Sequence, residues 1–505
     1  MTHRLVASLL HHERSRLEQV LRDLPASVDV AEVRLDGLWP QAPDADRATD
    51  DLFALRDATG KTLLATLRPE REGGRWDGPE EARIGLLVAA RQAGFDLVDL
   101  ELPDGAAGPF LYAFREQVPQ FVLSRHLPEA PHCRDDSLLP LLAMQDGAGV
   151  YDKLAFPGDS FLDDVRAIEA VRLHAARGGK PSVSTLGSTW GTELRALLAV
   201  VGNQATYGHA PGLEPAVPGQ PAAAGIQALW DHWGLSRDEL ASEGQPLRPW
   251  MAVLGNPVER SLSPRMHNAA LRSARRPERY VSWHVPASDS ALRLVVSVAA
   301  RIGLVGASVT SPHKTAAARM GTCDAVAKAV GAANQLKFLA DGQVEATNTD
   351  ATALRDILRP HVTSGTTAVV LGAGGAARAA LWALKELGAT STFTSRDPVR
   401  AEAAKTLGTW APWNERASLR GDVWVQATTV GLQPDEPSPA TPHGARLAFE
   451  LNYKGGPTAF AAEASRLGAT VLDGRALVLE QAVHAQRFWF GRAPDRKVME
   501  AALAR

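Results

Sequence analysis

Two lysines and one glycine turn carry most of the chemistry that this 505-residue sequence suggests. Lys153 lies in Tyr151-Asp152-Lys153-Leu154-Ala155-Phe156, a mostly apolar run with the length of a buried strand. An amine attacks a ketone only in its neutral form, and burial together with nearby cations such as Arg34 or Arg68 favours that form. Taken singly, Lys153 reaches solvent from a strand end, His126 is a satisfied core histidine and Glu72 a solvated loop charge. Lys314 and Asp350 read singly as a surface ion pair. The turn is more specific. Strand 366–371 runs into Gly372-Ala373-Gly374-Gly375-Ala376-Ala377-Arg378, which opens an Ala-rich helix. Glycines at this spacing permit a tight turn and let the backbone approach a pyrophosphate at a helix N-terminus. A turn used only for helix–strand packing is the alternative. About twenty residues on, an NAD site places an acid on the ribose hydroxyls. This chain has Thr394-Ser395-Arg396-Asp397 and then Arg400. Two guanidiniums favour a 2′-phosphate, hence NADP, while Asp397 keeps NAD in play and solvated helix-start charges are the plain alternative.

The elements that must hold these residues fall into two patterns. A chain this long exceeds one hydrophobic core, so two or three domains are expected. In the first ~220 residues, strand candidates at 5–10, 28–35, 62–68, 97–102, 120–126, 149–156 and 181–187, with an eighth near 205–207, alternate with helical segments, which predicts an α/β (β/α)8 TIM barrel. Period-two alternation puts Glu32, Arg34 and Asp36 on one strand face, and likewise Thr66 with Arg68, Ser124 with His126 and Tyr151 with Lys153. Parallel barrel strands are nearly all apolar, so charges at their carboxyl ends read as an active site. A Pro/Gly/Ala-rich stretch closes this unit by residue 224, and a linker helix is expected within 225–248. A second α/β pattern follows, divided at 249–352, 353–475 and 476–505, the middle segment a Rossmann-type lobe.

Composition excludes several classes. A formal net charge of −3, with 45% hydrophobic and 22% charged residues, gives no electrostatic reason for nucleic acid or an anionic membrane as partner. Two cysteines, Cys133 and Cys323, fit a reducing cytoplasm and exclude a disulfide framework. The run Leu5–Leu10 is a first strand rather than a signal-peptide core. No stretch approaches the ~20 apolar residues of a membrane helix. The oligomeric state is left open.

Taken together, Glu32-Val33-Arg34-Leu35-Asp36, Thr66-Leu67-Arg68 with Glu72-Gly73-Gly74, Ser124-Arg125-His126, Asp152-Lys153-Leu154-Ala155, Gly191 with Arg195, Thr206-Tyr207 and Val217-Pro218-Gly219-Gln220 resemble the type I 3-dehydroquinate dehydratases over residues 1–220. That resemblance implies that Lys153 forms an imine with the ring ketone, that His126 removes the acidified proton and then assists loss of water, and that Glu72 orients and charges the imidazole. It gives Arg195 the substrate carboxylate and Glu32, Arg34 and Arg68 the ring hydroxyls, with Gln220 on a closing loop. Ala216-Val217 stand where the family has Ser-Ala, Leu186 replaces a methionine, and Leu194 replaces the serine before Arg195. A lost lid hydroxyl implies a raised KM rather than lost imine chemistry.

From Trp250, the set Gly255, Pro257, Ser261, Ser263, His267 and Asn268, then Gly306 to Lys314, Gly331 to Asn334, and Thr347 to Asp350, resembles the shikimate dehydrogenases over 250–505. The resemblance implies a two-lobed enzyme in which Lys314 and Asp350 flank the reacting carbonyl. Ser261, Ser263, Thr310, Asn334, Tyr453 and Gln481 would hold ring hydroxyls and carboxylate. NADP would meet Gly372, Ala373, Gly374, Gly375, Ala376, Ser395, Arg396, Arg400, Thr428 and Gly474. No metal is implied. The expected reactions run from 3-dehydroquinate to 3-dehydroshikimate and then, with NADPH, to shikimate. Quinate as a substrate of the second half, and a catalytically silent sensor of both metabolites, are the competing readings.

Overall fold

The computed structural model describes residues 3–101, 108–127, 149–430, 436–452 and 458–504. Of the expected functional positions, Tyr453 lies outside them, as does Cys133. The chain divides into two compact units. One holds Met1–Trp250 with Pro277–His284 and Ser297–Leu304, the other Met251–Arg276 with Val285–Val296 and Val305–Arg505.

The first unit is built on eight strands: β1 (Arg4–Leu9), β2 (Val30–Arg34), β3 (Thr62–Thr66), β4 (Leu97–Glu101), β5 (Phe121–His126), β6 (Asp152–Pro157), β7 (Pro181–Leu186) and β8 (Ala205–His209). They pair in parallel in the order β7-β6-β5-β4-β3-β2-β1-β8. Layers inside this nearly closed barrel follow from the two-residue period of a strand. Val6, Val30, Leu64, Leu97, Val122, Tyr151, Ala205 and Tyr207 form an apolar cluster. Two residues further along six of these strands stand Ser8, Glu32, Thr66, Asp99, Ser124 and Lys153, all buried. Another two residues along come Arg34, Arg68, Glu101 and His126. The same inward face thus changes from apolar floor to charged mouth.

Among the described residues, no backbone ladder joins β7 to β8. The seam is held instead by Asn203, whose side chain accepts from the Val183 N–H and donates to the Val183 carbonyl, both at 2.9 Å. Ser182 Oγ donates to the Ala205 carbonyl at 3.0 Å, and the Gln204 N–H to the Pro181 carbonyl at 2.8 Å.

The helix expected as a linker differs from expectation. It spans Ala223–Trp233, ends at Gly234 with φ +68°, and buries Ala223, Ile226, Trp230 and Trp233. Trp230 Nε1 donates to the Ala196 carbonyl at 3.0 Å, and the helix packs on Gly191–Val201 and β8. It is the barrel's last helix, because its apolar face completes the wall behind β8; a short turn at Arg237–Glu239 follows.

In the second unit, Leu304–Val309 and Gln335–Phe338 pair antiparallel, as do Gln335–Phe338 and Val344–Thr347. A separate sheet is all parallel, in the order Thr409–Pro412, Thr390–Ser395, Thr367–Leu371, Val423–Gln426, Leu447–Glu450, Thr470–Leu472. That order reverses beside Thr367–Leu371, and ligands of open parallel sheets bind at such a point. The helix Gly474–Phe490 packs Leu479, Ala482 and Val483 against Met266 and Ala270 of helix Ser263–Ser273. No helix among the described residues is long and apolar enough to cross a membrane.

Replacing Asn203 by Ala strands a buried N–H and a buried carbonyl of Val183, at about 1–3 kcal/mol each. Urea unfolding of Asn203→Ala is expected to show a loss of roughly 2–4 kcal/mol in the barrel transition; a loss below about 1 kcal/mol would mean that the seam does not depend on this side chain.

Candidate active sites

The barrel mouth brings together every residue expected there. One cavity is lined by Glu32, Arg34, Arg68, His126, Lys153, Arg195 and Gln220, with Ser8, Tyr207, Ala216 and Val217 completing the wall. Lys153 Nζ lies 3.0 Å from Glu32 Oε1 and 2.6 Å from Asp99 Oδ2, and 4.3 Å from the centre of the Tyr207 ring. Sequence reasoning set Glu32 in this pocket beside the cations and left Asp99 out. In the structure both carboxylates flank the amine, because a charge on an inward barrel position needs an opposite charge within reach.

Burial pushes the Glu32 carboxyl up, but Lys153, Arg68 and Arg34 outweigh it and hold it down at about 2. Arg34 forms a two-pronged pair with Asp36 at 2.8 and 2.7 Å. Glu101 accepts from Arg83 at 2.9 Å and lies 3.5 Å from Arg68 Nε. Burial and Asp99 push Glu101 up to about 7. Arg195 donates to the Tyr207 carbonyl at 2.7 Å and the Thr185 carbonyl at 3.3 Å, and its buried Nε has no hydrogen-bond partner among the described residues. A buried guanidinium with a donor to spare suits an incoming carboxylate. Gln220 Nε2 donates to Ser8 Oγ at 3.2 Å while its Oε1 accepts from the Ala216 N–H at 3.0 Å, so the loop closes over the cavity without the family's serine.

Glu72 stands behind His126, its Oε2 3.0 Å from both the backbone nitrogen and Nδ1 of that residue. The surroundings work against the expected charging of the imidazole. Burial, then Arg68, Lys153 and Arg34, lower the His126 pKa well below its ordinary value, so the ring is neutral. Burial and the neighbouring Glu101 push Glu72 up to about 8. A neutral imidazole is the form able to take a proton.

In the second unit, Lys314 Nζ lies 2.5 Å from Asp350 Oδ2, and Asp350 is buried. Asn334 is tied to this pair through the backbone: the Ala333 N–H donates to the Lys314 carbonyl at 2.9 Å, and the Asn334 carbonyl accepts from Val309, next to Thr310. Thr349 accepts from Asn334 and Gln335 at 3.1 and 3.0 Å, and Gln335 reaches Gln481 at 3.1 Å. Ser261 Oγ accepts from the Ser263 N–H at 3.3 Å at the start of helix Ser263–Ser273. Gln335 went unnoticed in the sequence because it follows the Gly331 to Asn334 motif, and Thr349 was named within Thr347 to Asp350 without a role of its own.

The glycine turn has the conformation that its sequence requires. Gly372 sits at φ +120°, and a Cβ there would meet the Ala427 carbonyl oxygen at 3.0 Å, which brings the Thr428 turn alongside. Gly374 caps the helix Gly375–Glu386, and a Cβ there would meet nothing within 4 Å. This open space before a helix N-terminus fits a pyrophosphate. Gly375 differs: a Cβ there would approach Lys314 Cβ and Cδ at 3.2 and 3.3 Å. Arg396 and Arg400 are exposed beyond strand Thr390–Ser395, as a 2′-phosphate site needs. Asp397 is engaged as the helix cap, accepting from the Val399 and Arg400 N–H groups, and pairs with Arg400 Nε at 3.1 Å. It is therefore not set aside for ribose hydroxyls. Gly474 begins its helix against the Leu451 carbonyl.

Three outcomes follow from these environments. Glu72 holds its proton to about pH 8 when folded but only to about 4.5 when unfolded, so its contribution to stability is full below 4.5 and lost as pH rises through 8. The melting temperature of Glu72→Gln, relative to the unmodified protein, is expected to climb between pH 5 and pH 8.5; a flat difference would contradict the assignment. Gly374→Ala is expected to weaken NADP binding while sparing turnover at saturation. Gly375→Ala is expected to lower turnover roughly tenfold by shifting Lys314, a displacement well under 1 Å being enough. Titration calorimetry and saturation kinetics separate the two effects.

Comparison with known proteins assigns both units. The family model for type I 3-dehydroquinase matches residues 5–235, and that for the shikimate dehydrogenase substrate-binding domain matches 253–336. The shikimate dehydrogenase (NADP(+)) of Methanothermobacter thermautotrophicus is 35% identical over 271 residues, covering 50% of this chain and 95% of that protein. The chloroplastic bifunctional 3-dehydroquinate dehydratase/shikimate dehydrogenase of Arabidopsis thaliana is 28% identical over 486 residues, covering 90% of this chain and 76% of its own length. A solved shikimate 5-dehydrogenase from Thermus thermophilus, in complex with NADP(H) and shikimate, is 32% identical and covers 51% of this chain and 98% of its own, with a TM-score of 0.46. With a barrel that carries the buried lysine and histidine, and a second unit that carries the Lys314–Asp350 pair, the chain belongs to the type I 3-dehydroquinases in its first half and to the shikimate dehydrogenases in its second.

Proposed function

We propose that the chain performs two successive steps of the shikimate pathway: dehydration of 3-dehydroquinate in the barrel, then NADPH-dependent reduction of 3-dehydroshikimate in the second unit. The observation that carries this reading is Lys153, buried in one cavity with His126 and with Arg195, which keeps a donor to spare.

In the barrel, Arg195 takes the substrate carboxylate, and Arg34, Arg68 and Glu32 the ring hydroxyls. Lys153 condenses with the ring ketone, and the positive imine acidifies the adjacent C–H. His126 takes that proton and returns one to the departing hydroxyl, which leaves as water. Glu72 holds the imidazole through Nδ1. Hydrolysis of the imine then frees 3-dehydroshikimate.

In the second unit, Ser261, Ser263, Thr310, Asn334, Tyr453 and Gln481 bind the ring. Bound NADPH supplies hydride to the carbonyl carbon. Lys314 provides the proton for the new alkoxide, and Asp350 keeps that side chain aimed. Gly372 to Ala376 would hold the pyrophosphate, Ser395, Arg396 and Arg400 the 2′-phosphate, and Thr428 the nicotinamide side, with Gly474 a further contact to the cofactor. The reducing cytoplasm is the compartment that suits the two cysteines.

A coupled assay tests both halves. With 3-dehydroquinate and NADPH, the full-length protein is expected to consume cofactor. Lys153→Ala should abolish this signal while leaving reduction of 3-dehydroshikimate intact. Lys314→Ala should do the reverse, sparing formation of the enone. Binding of both metabolites with turnover of neither would sink the enzymatic reading.

A further inference from the structure

We propose that Asp99 is a further catalytic group of the barrel site, the one that removes a proton from the Lys153 ammonium and later returns it to the hydroxyl lost in imine formation. The inference rests on the imine chemistry proposed for Lys153. Asp99 lies on β4, fully buried, with Oδ2 2.6 Å from Lys153 Nζ. Its other oxygen, Oδ1, is buried and makes no hydrogen bond among the described residues. Thr66 Oγ1, 3.5 Å from Oδ2, offers a long contact at most and gives its proton at 3.0 Å to Glu32.

Glu32 is the competing acceptor, and its surroundings disqualify it. It already accepts from Ser8 and Thr66 as well as Lys153. Against the upward push of burial, Lys153, Arg68 and Arg34 keep its carboxyl at about 2. Protonating Glu32 would break bonds already made. Asp99 takes a proton along an existing contact, and its Oδ1 has no bond to lose.

The protons balance. The ammonium passes one proton to Asp99 and becomes an amine. Nitrogen attacks the carbonyl carbon, the C–O π bond breaks, and one nitrogen proton passes to the oxygen, giving a carbinolamine. Asp99 then donates its proton to that hydroxyl, which leaves as water while the nitrogen lone pair forms the C=N bond. Ammonium and ketone have become iminium and water, and Asp99 is again a carboxylate. The shuttle needs no co-reactant.

The test is rapid mixing of the full chain with 3-dehydroquinate, quenching with borohydride and measuring the adduct on the Lys153 peptide by mass. Asp99→Asn keeps the shape and an acceptor for the amine but cannot take a proton. Its adduct is expected to accumulate about 100-fold more slowly, in the range of a lost acid–base group, and to speed up as pH rises and solvent frees the amine. A purely positioning role predicts near-normal accumulation with an unchanged pH profile, and that result overturns the inference. Asp99→Ala with added formate is the second arm: recovery of the trapping rate with formate concentration supports a missing carboxylate, and no recovery overturns it. Failure of the unmodified protein to form any adduct would instead overturn the imine reading itself.

Discussion

The ammonium of Lys153 between the carboxylates of Glu32 and Asp99 is the interaction on which the barrel interior depends. None of these groups is tolerable in a buried strand layer alone, since an unpaired charge there costs several kcal/mol. Together they neutralise one another, and the arrangement propagates outward. Glu32 needs Ser8 and Thr66, Ser8 meets Gln220 on the closing loop, and Arg68 and Arg83 hold Glu101. Replacing such a network with hydrocarbon often costs no stability. What it provides is a fixed geometry in which an imidazole, the Lys153 side chain and a guanidinium face one cavity.

The second unit solves a different problem. Hydride transfer tolerates little error in distance, and here the glycine turn proposed for the cofactor lies directly against the lysine proposed as proton donor, Gly375 beside the methylenes of Lys314. The same helix is tied by Arg378 to Thr315 at 2.9 Å, one residue beyond Lys314. The glycine turn and Lys314 therefore share a scaffold, and Gly375 leaves room for the lysine side chain.

Much of this was legible in the residues. All eight barrel strands fall within a few residues of the runs read from apolar alternation, and the inward charges on β2, β3, β5 and β6 marked the mouth. Asp99 and Glu101 obey the same period-two rule in Leu97-Val98-Asp99-Leu100-Glu101, so the signal was present but unused. Other features depend on three dimensions. The lowered pKa of His126 follows from burial and from Arg68, Lys153 and Arg34, which reach it from three separate segments. Asp397 looked like a ribose ligand because its place after Arg396 said nothing of the helix it caps. The helix Ala223–Trp233 looked like a linker because a Pro/Gly-rich stretch precedes it, although its Trp230 is bonded to the barrel helix Gly191–Val201.

Arg195 draws its fixed position from the carbonyls of Thr185 and Tyr207, one on β7 and one on β8. Among the described residues, those are the two strands that no peptide ladder joins. The guanidinium is thus a rivet between them, so a group that lines the cavity also ties the wall that surrounds it.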